Sequence, residues 1–89
     1  MSNKKIKNKY FGIWLSKKIG SKDKFVKRFD WKKRELSRWT HGQNFPKLPV
    51  QSALLYDIHL YTGQEYTSLL IECNEALMKD YKEFKYGTT

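Results

Sequence analysis

The chain is poor in the residues that staple, bind metal or span membranes. Its one cysteine, Cys73, excludes an internal disulfide and fits a reducing compartment. With one Cys and two distant His, His41 and His59, no zinc-ligand spacing exists, and no metal or other cofactor is expected. The two prolines lie together at Pro46 and Pro49, and the five glycines mostly mark joints between segments, so long helices are unobstructed. No apolar run approaches the ~18 residues that a membrane span needs. The basic start MSNKKIKNK lacks the apolar stretch of a signal peptide, so a cytoplasmic location is expected. Glycine-rich phosphate loops, HExxH and CxxC are all absent, and Cys73 sits on an apolar stripe where cysteine acts as a small hydrophobe. The chain is therefore not expected to be an enzyme.

What the 89 residues do contain is aromatic side chains and positive charge. Three Trp, six Tyr and five Phe supply a core. The formal net charge is +9 and is divided unevenly. Residues 1–47 carry 15 Lys and Arg against three acids, a net of +12; residues 48–89 carry three Lys against six acids, a net of −3. A basic half beside a mildly acidic one implies one side that faces a polyanion and another with a different task.

Apolar spacing at three and four residues, with no alternating strand pattern, predicts an all-α chain: a compact four- to five-helix bundle around a central pair of short helices. Residues 1–9 form a basic arm bearing Lys4, Lys5, Lys7 and Lys9. Residues 10–79 form the domain, and 80–89 a helical extension or tail. Helix 1 runs from about Lys9 to Ile19, with Phe11, Trp14, Leu15 and Ile19 inward. Ser21 caps helix 2, about Lys22 to Phe29, and Asp23 suits its first turn. Asp30-Trp31-Lys32 connects to helix 3, about Lys33 to Thr40. Helix 4 runs from about Pro49 to Tyr61, with Val50, Ala53, Leu54, Ile58 and Tyr61 inward. Asp57 falls inside that stripe and is expected to bond a backbone end or a basic side chain. His59 is expected to be solvated. Helix 5 begins near Gln64 and presents Tyr66, Leu70, Cys73, Leu77 and Phe84 on one face.

Helix 3 carries the functional expectation. Leu36 and Trp39 point one way; Lys33, Arg34, Ser37 and Arg38 point the other. A short helix that is apolar behind and cationic in front is what the DNA major groove accepts, and arginine there can donate two hydrogen bonds to one guanine. Lys33, Arg34, Ser37 and Arg38 are the base-reading candidates. Lys22, at the N-terminus of helix 2, and Gln43, Asn44 and Lys47, just past helix 3, are placed for phosphate, as are Ser21 and His41.

These residues resemble the lambda-repressor-like, Cro-type helix-turn-helix family over about Phe11 to Leu70. Ser21-Lys22-Asp23-Lys24-Phe25-Val26 stands where that family has a cap, Gln and two apolar residues. Phe29, Trp31, Leu36 and Trp39 match its core, Trp39 to Gly42 its common ending, and Pro46-Lys47-Leu48 its lead-in to the fourth helix. Asp30 stands where the family usually has Gly, Val26 where it has Ala, and helix 4 is about one turn longer. The resemblance implies a homodimer on operator DNA, with Lys32, Lys33, Arg34 and Arg38 near bases or adjacent phosphates. By analogy it favours a phage or mobile-element repressor on a pseudo-palindromic site, with no room for a ligand-binding domain. Ile71 and Met78, seven apart on the outer side of helix 5, are the dimer-interface candidates. The alternative is the antitoxin of a toxin–antitoxin pair, which would hold a protein partner through helix 5 and residues 79–89.

Overall fold

The computed structural model describes residues 8–87 and is all-helical among them. Five helices follow one another: α1 Lys9–Ile19, α2 Lys22–Phe29, α3 Lys33–Thr40, α4 Leu48–Thr62 and α5 Tyr66–Tyr86. Lys4, Lys5 and Lys7 of the expected arm lie outside the described residues; Lys9 is the first residue of α1.

The punctuation is local chemistry. Ser21 is extended, and its hydroxyl accepts a hydrogen bond from the Lys24 N–H at 3.3 Å, closing the N-terminus of α2. Asp30 ends that helix in the left-handed region, at φ 61° and ψ 46°. It takes the conformation glycine would take, which Asp tolerates better than most residues. Pro49 sits in the first turn of α4, where its missing N–H is no loss.

Helix α1 is the hub and packs against α3, α4 and α5. Phe11, Leu15, Ile19, Phe25, Leu36, Leu54, Leu55, Ile58, Leu69 and Cys73 are all but sealed from solvent. Gly12, in the first turn of α1, allows α3 to approach closely. A Cβ there would lie 2.6 Å from the carbonyl oxygen of Thr40, far inside contact distance. Gly42 meets α1 as well: its carbonyl accepts from the Asn8 N–H at 3.1 Å.

Two of the expected helix faces are rotated. In α4, Val50 and Ala53 are exposed, and Gln51 and Leu55 are buried in their place. The helix is apolar nearly all round, so periodicity carries little information about which side turns inward. Gln51 is accommodated because its amide bonds the Cys73 thiol at 3.5 Å. In α5 the buried line is Leu69, Cys73, Ala76 and Asp80, while Tyr66, Leu70 and Leu77 sit at its edge and Phe84 is exposed.

Asp80 ties the later turns of α5 to α1. Helix α1 has no side-chain cap of its own. The Asp80 carboxylate supplies one from across the fold, accepting from the N–H of Tyr10 at 2.8 Å and of Phe11 at 3.0 Å. The Tyr10 hydroxyl donates to Glu83 at 2.7 Å. That bond holds the phenol's proton and raises its pKa, with the nearby Glu83 charge acting in the same sense. The C-terminal turns of α5, a helical extension past residue 79, are thus bonded to α1 through Asp80 and Glu83.

Candidate nucleic-acid interface

Helix α3 is held from behind and bare in front. Leu36 and Trp39 are buried, and Trp39 meets Trp31 edge-on, with ring centroids 6.0 Å apart. Trp31, in the turn between α2 and α3, donates its indole N–H to Asp57 of α4 at 2.7 Å. Among the described residues, Asp57 therefore bonds neither a helix end nor a basic side chain. It anchors the turn, and a hydrogen bond to a charged acceptor is worth about 1.5–3 kcal/mol.

Eight residues make a rod ~12 Å long. The centre of its outer face is Arg34, flanked by Ser37 and Arg38. Both arginines are exposed, and among the described residues neither makes an ion pair or a side-chain hydrogen bond. Ser37 is half-buried, and its carbonyl accepts from Thr40 and from His41. Lys33 is at the edge of the rod that faces α2. Its ammonium pairs with Asp23 at 2.7 Å, both groups remaining well exposed. The bond from Lys33, and its charge, hold the Asp23 carboxyl below its ordinary pKa. Lys32 is the exposed residue preceding the helix. Glu35, on the opposite edge, is exposed too and was not anticipated as a candidate; it is the rod's only carboxylate and can accept from cytosine N4.

The expected phosphate contacts divide into two groups. His41, Gln43, Asn44 and Lys47 lie exposed in the segment after α3. The His41 ring donates through Nδ1 to Ser37, and the Asn44 side chain folds onto the N–H of Phe45 at 2.9 Å. Ser21 and Lys22 lie at the start of α2. Lys22 is half-buried and reaches Thr40 at 3.4 Å, which ties the beginning of α2 to the end of α3. Arg28 is exposed and lies over the rings of Phe29 and Tyr61, 4.9 and 5.7 Å from their centroids.

The chain matches no protein-family model, no curated protein and no solved structure. The likeness to the lambda-repressor-like family accordingly stands on the residues quoted above.

The remaining candidates are structural or lie elsewhere. Cys73 is buried, and desolvation pushes its thiol up to about 11, partly offset by the bond from Gln51. His59 is half-buried, and its Nδ1 donates to the Gln64 carbonyl at 2.6 Å, so it fastens the α4–α5 corner and is not simply solvated. Among the described residues no cluster of potential metal ligands occurs, and no helix is long and apolar enough to cross a membrane. Ile71 and Met78 are exposed on α5, as expected, and line an open groove with Asn74, Glu75, Lys79 and Lys82.

Two features of the sequence bear on this arrangement. A glycine within a helix, Gly12, marks a close approach of another chain segment. An acid inside an apolar stripe, Asp57, needs a donor, and a Trp in a nearby turn can supply one.

Proposed function

We propose that this chain is a sequence-specific double-stranded DNA-binding regulator of transcription, a repressor of phage or mobile-element type. It inserts α3 into the major groove and binds a pseudo-palindromic site as a homodimer. The observation that carries this reading is the pair Arg34 and Arg38. They are exposed and unpaired among the described residues, on a short rod whose back is buried through Leu36 and Trp39. Arg34, Ser37 and Arg38 read base edges. Lys33, Lys32 and Lys22 serve the flanking phosphates, together with Gln43, Asn44 and Lys47. Lys4, Lys5, Lys7 and Lys9 add sequence-independent attraction.

Selection from a random duplex pool tests the reading, followed by binding of Arg34→Ala and Arg38→Ala to the selected site and to random duplex. Each substitution is expected to weaken the selected site by about 1–3 kcal/mol and random DNA far less. Equal losses on both, or no enriched motif, would remove base reading from α3. The antitoxin reading is favoured by one feature, the exposed ridge of Ile71 and Met78. Copurification of a stoichiometric small protein that is released by Ile71→Lys would support it.

A further inference from the structure

Helix α4 has a second apolar face, and among the described residues nothing covers it. Leu48, Tyr56 and Leu60 are 73%, 53% and 46% exposed, and Ser52 between them is exposed as well. From Leu48 to Gln64 the only charged side chain is Asp57, which is bonded to Trp31. In a chain with 30% charged residues, this is a long uncharged stretch. Exposed large apolar side chains gathered on one helix face mark a candidate interaction site.

We propose that this face pairs, antiparallel, with the same face of a second copy of the chain. Leu48, Ser52, Tyr56 and Leu60 are spaced by four and form one ridge of the helix. Reversing that ridge about its midpoint sets Leu48 against Leu60 and Ser52 against Tyr56. Large side chains then meet at both ends, and each tyrosine finds a small partner. A two-fold contact must be self-complementary in this way. Interdigitation of two such ridges brings the helices together at about −50°, the commonest crossing in globular proteins.

Charge selects the occupant. Two copies of a chain with net charge +9 repel each other, so their contact is favoured where cations are few; the ridge itself carries none, and exposed Lys47 stands just beyond its Leu48 end. The ridge of Ile71 and Met78 on α5 does not meet that condition, since Glu75, Lys79 and Lys82 line the same groove. One helix face is a small interface, below about 1,200 Å² in total. Pairing is therefore weak in free protein and becomes complete where adjacent half-sites hold two copies. This deepens the reading proposed above and rests on it only for that last step.

Cysteine cross-linking tests the pairing directly, because native Cys73 is buried and unreactive. Ala53→Cys places a thiol beside the midpoint of the α4 face, and Asn74→Cys places one midway between Ile71 and Met78. The expected result is oxidation to a disulfide-linked dimer for Ala53→Cys and not for Asn74→Cys, at millimolar protein without DNA. Adding Tyr56→Glu to Ala53→Cys should slow that linkage by roughly tenfold, equivalent to about 1.4 kcal/mol, with helicity by circular dichroism retained. Linkage through Asn74→Cys alone, or through neither, overturns the proposal, as does a double variant that links at the original rate. Since the assay contains no DNA, failure of DNA binding leaves its outcome unaffected, and failure of pairing leaves base reading by α3 unaffected.

Discussion

The acids of the C-terminal half and the cations of the N-terminal half behave oppositely. Of the six acids after residue 47, four turn inward across the fold to accept from the N-terminal half. Asp57 takes the indole of Trp31, and Glu72 the indole of Trp14. Asp80 takes two N–H groups of α1, and Glu83 the hydroxyl of Tyr10. Glu72 also pairs with Lys18 at 3.0 Å and bonds Gln64, which itself accepts from Lys18. The cations of α2 and α3, by contrast, stay mostly in solvent, with Lys33 held by Asp23 and Arg28 laid on aromatic rings. The charge asymmetry of the sequence is therefore a division of labour. The acids are clamps for the domain, and most cations of α2 and α3 remain exposed to solvent.

Substitutions can break or sharpen that contrast. The largest effect is expected at Asp80. Asp80→Ala leaves two N–H groups of α1 without an acceptor in a buried site, and a loss of about 3 kcal/mol is expected in urea unfolding. A loss under about 0.5 kcal/mol would show that the acids are not clamps. Gly12→Ala comes next. Its methyl group collides with the Thr40 carbonyl, which is backbone and can yield only if α3 moves. Overpacking of this kind costs about 1–3 kcal/mol, and DNA affinity should fall along with stability. Unchanged affinity would separate the placement of α3 from its function.

Lys24→Ala and Lys27→Ala should leave stability within about 0.5 kcal/mol, in contrast to Asp80→Ala. Each should weaken binding to any duplex and lower the salt slope by about one where its ammonium meets a phosphate. Asp23→Asn releases Lys33, so affinity for duplex DNA should rise a few-fold in fluorescence anisotropy; a fall would mean that the pair positions Lys33 for binding.

The smallest effect is at Glu72. Bonds from Trp14 and then Lys18 hold its folded-state pKa below the ordinary 4.5. Its contribution is therefore complete above that value and vanishes as pH falls through the folded-state pKa. Glu72→Gln should cost under about 1 kcal/mol at neutral pH, since the carboxylate is partly solvated. The difference from the parent chain should disappear in acid.

The helix-turn-helix segment was the most legible part of the chain. Ser21 as a cap and the boundaries Lys22–Phe29 and Lys33–Thr40 follow from interactions within a few residues, and the structure has them at those positions. Leu36 and Trp39 could be assigned to the core because α3 is strongly two-faced. The phase of α4 could not be read: with apolar residues on every side, Val50 and Gln51 compete for the interior, and the contact with Cys73 decides. Asp80 was equally hidden, since an acid in a helix reads as surface until the bare N-terminus of α1 is placed beside it.

Composition and local spacing alone thus determined an all-helical chain, a basic N-terminal half, and a short helix with Arg34 and Arg38 opposite Leu36 and Trp39. These depend on side-chain periodicity and capping, which act over one or two turns. Only the tertiary structure decided that Asp57, Glu72, Asp80 and Glu83 point inward, that Gly12 lets α3 close on α1, and that one face of α4 stays bare. Each of these depends on which groups from distant parts of the chain meet, because a buried donor, a steric gap and an uncovered face exist only between elements.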